Sequence, residues 1–441
     1  MSDFTPRIGA GRFTRALVLE NPDPTLDDHL RAIGIEPFRP ETTPDEDQLV
    51  KLLENEPFDL LYKRSRVPVT ARVLDAAPNL FGVMLCCIGD DSVDKSACAK
   101  RGVVVTNDPV SNARSVVEMV VGELISLSRR LFEASDELNR STWHKSQKRR
   151  YEIQGKTLGV FGLGNIGKQV AQVCEALGMN IVFYDNREVA REVGETMGWR
   201  YVPSTRDLFV NCDYVTCHVS AFDYRGRSNE GSITLDDFAG FAERPETSPR
   251  IFLNLARGNI YASDDLNAAI EKGYVTRAMV DVYPTEPRGS DDAWTNPYAN
   301  TPEIYGTPHI GAATLEAQPR IARHVAGTTR KLSRYGTLRN CVYAPRHIIG
   351  FDTLEGIEHI LTVVHSNKRG TKKALADALY NAGASNLESE HRDFPEYGIA
   401  YECVAIDKPL NDDELQGLIR EAAAIIGDPC AIRSLRQIHL D

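Results

Sequence analysis

The chain has 441 residues, enough for about three domains at ~150 residues each, and its 51 Lys and Arg against 62 Asp and Glu leave a formal net charge of −11. That balance excludes a broad basic face for nucleic acid, which needs clustered cations, but it leaves a local basic pocket open. No run approaches the ~20 apolar residues of a membrane span, and residues 1–6 lack the basic-then-apolar order of a secretory leader. Nine cysteines without a C-x-x-C pair exclude the usual zinc ribbons and argue against a disulfide framework, so reducing cytosol is the expected compartment.

In chain order, residues 14–20 read as a short buried strand, 27–33 as a helix, and 58–62 and 80–85 as further strands. Strand and helix alternate, the pattern of an α/β unit with a mostly parallel sheet. Val116, Val117, Met119, Val120, Leu124, Ile125 and Leu127 mark a long apolar helix over 115–131, followed by a Lys- and Arg-rich stretch at 143–150. Residues 157–161 form an apolar strand that runs into a glycine-rich turn and a helix. Strands then recur at 181–184, 214–219, 251–255 and 278–282, spaced for crossover helices, as in a doubly wound sheet. From about 358 the order becomes strand 360–364, helix 371–382, strands 386–391 and 399–406, helix 412–426 and strand 432–440. That βαββαβ order is ferredoxin-like and predicts a small separate domain, joined through residues 340–356.

Gly162-Leu-Gly164-Asn165-Ile166-Gly167 matches G-x-G-x-x-G, lies between a strand and a helix, and is followed by Asp185 at the end of the next strand. Gly162 makes the turn, Gly164 lets backbone approach a pyrophosphate, and Gly167 lets helix pack on strand. Amides at the helix start face the phosphates, and Asp185 accepts from ribose hydroxyls while repelling a 2′-phosphate, which favours NAD over NADP. Three more polar groups sit at or beyond the ends of later strands: Arg257, Glu286 and His309. Oxidation of a 2-hydroxy acid needs a base for the hydroxyl proton, a cation for the carboxylate and a nicotinamide for the hydride. His309 suits the base, Glu286 its orienting carboxylate, and Arg257 the carboxylate clamp. Asp281 is placed to meet the nicotinamide half. Taken singly, His309 reads equally as a loop histidine, Glu286 as a solvated turn residue and Arg257 as a capping cation; their order after the dinucleotide turn joins them.

Lys63-Arg-Ser-Arg66, Ser111-Asn-Ala-Arg-Ser-Val-Val-Glu118, Asn254-Leu-Ala-Arg-Gly258, Asp281-Val-Tyr-Pro-Thr-Glu-Pro287 and Thr307-Pro-His-Ile-Gly-Ala312 carry a resemblance to the D-isomer-specific 2-hydroxyacid dehydrogenases, in particular to members with a C-terminal regulatory ACT domain. The resemblance implies Arg257, Glu286 and His309 as the catalytic trio, and NAD contacts at Gly164–Ile166, Asp185, His218, Val219, Ser220, Ala256, Asp281 and Gly311. It implies a discontinuous substrate domain (1–111 and 312–345), an NAD-binding domain (112–311) and an ACT-like domain (356–441), with the substrate cleft closing between the first two. The implied reaction is NAD-dependent oxidation of D-3-phosphoglycerate to 3-phosphohydroxypyruvate at the head of serine synthesis. Arg64, Arg66, Gly89, Asn112 and Lys145 match substrate positions, although Lys145 reads better as solvated charge. His365, Asn367 and Asn386 match positions that bind serine as an effector, and a homodimer or homotetramer is implied.

The chain departs from that pattern in four places. Asp90 adds an anion to the carboxylate-holding loop, Ser220 replaces a proline, and 222–232 (with Arg225, Arg227 and Glu230) is atypical. Lys368-Arg-Gly370 stands where relatives have Arg-Pro-Gly. Two other readings compete: a dehydrogenase for 4-phosphoerythronate or 2-hydroxyglutarate, and a nucleotide-sensing scaffold similar to the C-terminal-binding corepressors. The ACT-like tail argues against the scaffold.

Overall fold

Short runs of Val, Ile, Leu and Ala set most of the strands, and burial on both faces makes those runs continuous rather than alternating. The computed structural model describes residues 5–223, 227–287, 293–345, 347–351 and 356–440. Two compact units result, one ending at Ser111 and resuming at Gln318, the other Asn112–Ala317.

The first unit opens with a strand that the composition did not signal, β1 (Arg7–Ala10). It then builds a parallel sheet from β2 (Arg15–Val18), β3 (Glu36–Phe38), β4 (Leu60–Lys63), β5 (Gly82–Leu85) and β6 (Val104–Thr106), in the order β3-β2-β4-β5-β6. This is the flavodoxin-like doubly wound order.

The second unit starts with the helix Ala113–Arg129, whose Val116, Val117, Val120, Leu124 and Leu127 are buried. Its seven strands are β7 (Thr157–Phe161), β8 (Asn180–Tyr184), β9 (Arg200–Tyr201), β10 (Tyr214–Cys217), β11 (Ile251–Asn254), β12 (Arg277–Val280) and β13 (Ile304–Gly306). All pair in parallel in the order β9-β8-β7-β10-β11-β12-β13. That is the order of a dinucleotide-binding sheet, with the switch point between β7 and β10, where ligands bind beyond the strand ends.

Back in the first unit, the expected junction at 340–356 carries the second strand of a short antiparallel pair, β14 (Leu338–Arg339) with β15 (Ile348–Ile349). The tail then forms β16 (His359–Ser366), helix Thr371–Asn381, β17 (Asn386–Phe394), β18 (Ile399–Ile406), helix Asp412–Ile426 and β19 (Ile432–His439), the expected βαββαβ order. Its sheet runs β1-β19-β16-β18-β17, so the N-terminal strand joins the C-terminal module in parallel with β19. One face packs on the module's two helices through Leu361, Val363, Val404 and Ile406. The other face, with Ile360, Val364, Tyr401 and Cys403, shares a core with β2, β4 and β5.

Buried polar groups fasten that second face. Arg436 donates to the carbonyls of Ser333 (3.0 Å), Gly11 (3.2 Å) and Leu332, with its guanidinium 4.0 Å over the Phe13 ring. Arg7 donates to the Arg101 (2.6 Å), Leu74 (3.0 Å) and Ala77 (3.2 Å) carbonyls. Burial lowers both guanidinium pKa values to about 10, still far above neutrality.

Candidate active site

The dinucleotide turn is built for close approach. Gly162 sits at φ +93°, and a Cβ there would press on Val219 and the His218 carbonyl. A Cβ on Gly167 would collide with the Gly162 carbonyl oxygen, whereas Gly164 faces open space at the start of helix Asn165–Ala176. The turn therefore cradles a group approaching Gly164 and the helix amides of Asn165 and Ile166, as a pyrophosphate requires. The buried Asp185 carboxylate accepts from the Leu163 amide (2.9 Å) and the Arg187 amide (2.9 Å), and it pairs with the Arg187 guanidinium at 2.6 Å. Arg187 Nε bonds it as well at 2.9 Å, so all four lone-pair sites are taken and a ribose hydroxyl would bind by displacing the Arg187 guanidinium. Arg187 is a residue the sequence reading passed over; it partly neutralises the anion meant to repel a 2′-phosphate.

His218, Val219 and Ser220 follow β10 beside the turn. Burial pushes the His218 imidazole down to about 3, so it is neutral, with Nε2 3.1 Å from Thr216 Oγ1. Ser220 is exposed and donates to the Phe222 carbonyl. In the atypical 222–232 segment, Arg227 pairs with Asp223 at 2.7 Å; Arg225 lies outside the described residues.

Three loops at the strand ends form the chemical centre. After β11, the buried Asn254 side chain accepts from the Ala256 amide (3.0 Å) and donates to the Arg257 carbonyl (2.8 Å), which fixes the turn that presents Arg257. Gly258 has no room for a Cβ, because the Tyr283 carbonyl occupies that space. This close approach locks the Arg257 turn against the 281–287 loop. There Glu286 Oε1 accepts from the Tyr283 amide at 3.2 Å, and Oε2 stands 2.8 Å from His309 Nδ1. His309 has a left-handed backbone, φ +54°, uncommon for a non-glycine and enriched at functional sites.

Asp281 underlies this loop. Its buried carboxylate accepts from Thr307 Oγ1 (2.6 Å) and the amides of Ile310 (2.8 Å) and Gly311 (2.8 Å). In the structure Asp281 thus positions the His309 turn. Behind it, Glu123 on the apolar stripe of Ala113–Arg129 is pushed up to about 8, first by burial and then by Asp281, so it is mostly neutral at pH 7. Its place at i+3 from Val120 was the available signal, an acid where the stripe calls for an apolar residue.

The Glu286 carboxylate raises the His309 pKa, chiefly through the hydrogen bond, against opposing burial. For Glu286 burial is the largest influence and acts upward, but the His309 bond and charge, the Tyr283 amide and Arg257 together hold it below its ordinary value. With Nδ1–H committed to Glu286, Nε2 is left to exchange a proton with a substrate. Arg257 donates to the Ala256 carbonyl at 2.8 Å.

Substrate candidates fall in both units. In the first, Arg64 is half-buried and Arg66 exposed, on a turn shaped by Lys63, the first residue of that motif, and by Glu20, which the sequence does not mark. Buried Lys63 donates to the Arg64 carbonyl (2.7 Å) and Ser92 Oγ (2.6 Å), and Glu20 accepts from the amides of Arg66 (3.0 Å) and Val67 (2.6 Å). Gly89 accepts from Cys87 Sγ at 3.2 Å. The unexpected anion Asp90 is paired with Lys95 at 3.1 Å, so its charge is locally offset. In the second unit, Asn112 is buried with Oδ1 lacking a hydrogen-bond partner. Lys145 is exposed in an irregular stretch, the solvated environment its context suggested.

The proposed effector residues do not meet. His365 is buried with Nδ1 on the Ser366 carbonyl (2.8 Å), and Asn367 donates its amide to Gly398 (3.3 Å), just before β18. Asn386 pairs with Ile406 at the other end of that eight-residue strand, roughly 23 Å away at ~3.3 Å per residue. A single-chain pocket lined by Asn367 and Asn386 is therefore not formed.

A model of the D-isomer specific 2-hydroxyacid dehydrogenase, NAD binding domain, matches residues 121–311. The D-3-phosphoglycerate dehydrogenase of Haemophilus influenzae is 33% identical over 369 residues, covering 81% of this chain and 84% of its own. D-3-phosphoglycerate dehydrogenase 1 of Saccharomyces cerevisiae is 31% identical over 392 residues, with 86% and 79% covered. Among solved structures, a glyoxylate reductase from Paecilomyes thermophila aligns with TM-score 0.63 at 22% identity, over 75% of this chain and 98% of its own. An NADPH-dependent glyoxylate/hydroxypyruvate reductase from Sinorhizobium meliloti, with NADP and malonate, aligns with TM-score 0.60 at 22% identity, over 75% and 96%.

Proposed function

The chain belongs to the D-isomer-specific 2-hydroxyacid dehydrogenases, and on that footing we propose that it oxidises D-3-phosphoglycerate to 3-phosphohydroxypyruvate with NAD. The observation that carries the chemistry is the Glu286–His309 pair, closed at 2.8 Å and presented beyond the same strand ends as Arg257 and the Gly162 turn. In the oxidative direction His309 Nε2 takes the C2 hydroxyl proton, and the resulting imidazolium is stabilised by Glu286. Arg257 holds the substrate carboxylate through its planar fork and polarises the C2 oxygen. NAD, held along the Gly162–Gly167 turn and by Asp185, would supply the hydride acceptor for C2. In reduction the same proton returns from Nε2 to the carbonyl oxygen.

Arg64 and Arg66 are the cations assigned to the substrate phosphate. The tail is read as an ACT-type regulatory module within a homodimer or homotetramer. All nine cysteines are thiols, which supports residence in a reducing cytosol, and no helix among the described residues is long and apolar enough to cross a membrane.

Oxidation of NADH by purified protein with 3-phosphohydroxypyruvate, hydroxypyruvate and 2-oxoglutarate tests the assignment. The phosphorylated acid should give the highest kcat/KM, by at least ~100-fold over hydroxypyruvate, since losing a charge-paired phosphate leaves cations unmatched. Turnover of unphosphorylated acids with none of the phosphorylated one would overturn it.

A further inference from the structure

The ferredoxin-like module buries a polar trio on the helix-covered face of its sheet. Alternation puts His365 on the face of Leu361 and Val363, and Glu402 on the face of Val404 and Ile406. Pairing sets His391 directly opposite Glu402. Glu402 is 2% exposed and His365 1%, and His391 is partly exposed. One nitrogen or oxygen from each residue lies within 4.8 Å of the others, the one such His, Cys, Asp and Glu group among the described residues.

The hydrogen bonding leaves this trio incomplete. The Ser366 carbonyl can only accept, so His365 Nδ1 is the protonated nitrogen of the neutral ring and Nε2 is the nitrogen available to a metal ion. Nε2 stands 3.5 Å from Glu402 Oε2, longer than an ordinary N–H···O bond. Both atoms are buried without a hydrogen-bond partner. Two ligand atoms on one tetrahedral zinc ion, at bonds of ~2.0 Å, lie roughly 3.3 Å apart. The 3.5 Å gap fits that spacing, and a backbone carbonyl on the far nitrogen is the contact that orients a metal-binding imidazole.

We propose that His365, His391 and Glu402 form a site for a divalent transition-metal ion of the zinc type, joining β16, β17 and β18. Two imidazoles and a carboxylate suit that ion, and three protein ligands leave a position for water or a small ligand. The half-exposed Lys372, with Nζ 4.0 Å from Glu402 Oε1, supplies a displaceable counter-charge when no ion is bound. Asp393 Oδ1, 4.0 Å from His391 Nε2, adds to the negative field. The ion would pin β17, a mostly exposed edge strand.

The test uses the full chain after chelator treatment, titrated with Zn²⁺ by calorimetry and with Co²⁺ by visible absorption. One ion per chain is expected, with d–d bands of low-coordinate cobalt and a rise in Tm. His391→Ala, at a partly exposed position, and Glu402→Gln should each weaken Zn²⁺ binding at least ~10-fold, with NADH turnover retained. Lys372→Met should bind at least as tightly as the parent chain. Absence of saturable Zn²⁺ binding by the folded chain would overturn the proposal, as would unchanged binding in both ligand variants.

Discussion

The molecule holds the same two groups, an imidazole and a glutamate, in two opposite ways. In the dinucleotide unit Glu286 and His309 are closed at 2.8 Å with side chains 35% and 47% exposed; in the ferredoxin-like module Glu402 and His365 are open at 3.5 Å and nearly fully buried. The closed pair has a proton between its partners and one ring nitrogen facing outward, the state of an acid/base. The open pair leaves a ring nitrogen and a carboxylate oxygen without a hydrogen bond, the arrangement that a shared metal ion would bridge. Distance and burial, rather than residue type, separate a proton-transfer site from a metal site.

Breaking the closed pair should have the largest effect. His309→Ala is expected to lower kcat by about 10³-fold, with NADH affinity by fluorescence titration little changed; an unchanged kcat would remove the proton-transfer role. Gly258→Ala comes next. Its Cβ would displace the Tyr283 carbonyl and separate the Arg257 turn from the Glu286 loop, so kcat/KM should fall about 100-fold, with circular dichroism showing a folded chain.

Changes around the module should move stability rather than rate. Arg436→Met removes the guanidinium from the buried Ser333 and Leu332 carbonyls and the part-buried Gly11 carbonyl, of which Leu332 keeps the Gly336 amide, and should cost about 1–3 kcal/mol in denaturant unfolding, with kcat retained. The smallest effect is on cofactor choice. Asp185→Ala removes the ribose acceptor and frees Arg187, so the NADH preference over NADPH should narrow by about 10-fold, measured as the ratio of kcat/KM values.

How far the sequence could be read follows the physics of each element. Residues 157–161, 399–406 and 412–426 were bounded by turn residues and uniform in period, and the structure gives those elements the same limits. The Gly162 turn, Arg257 and Glu286 follow apolar strands that the sequence marks, whereas His309 follows β13 (Ile304–Gly306), which the hydrophobic pattern does not mark, and is joined to them by motif order. β1 was not, since Arg7-Ile-Gly-Ala10 has one aliphatic β-former and is held by β19, more than 400 residues away. Its role depends on a pairing that no local window contains. The supporting roles of Asn254, Thr307 and Lys63, each inside a motif that carries the resemblance, and of Glu20 are not readable locally, because their partners (backbone groups for Asn254 and Glu20, the Asp281 carboxylate for Thr307, Ser92 and the Arg64 carbonyl for Lys63) meet only in the folded turns. Asn367 and Asn386 match effector positions by motif alone, and within one chain they lie at opposite ends of β18.

The most direct measurement is the pH dependence of kcat/KM for reduction of 3-phosphohydroxypyruvate in the parent chain and in Glu286→Gln. Reduction needs protonated His309, whose pKa Glu286 raises above its ordinary value of about 6.5. The rate should therefore hold at low pH and fall as pH rises through that raised value. In Glu286→Gln the glutamine oxygen still accepts from Nδ1 but the charge is gone, so the decline should begin at lower pH and the maximal rate should drop. Superimposable pH limbs in the two proteins would contradict the account.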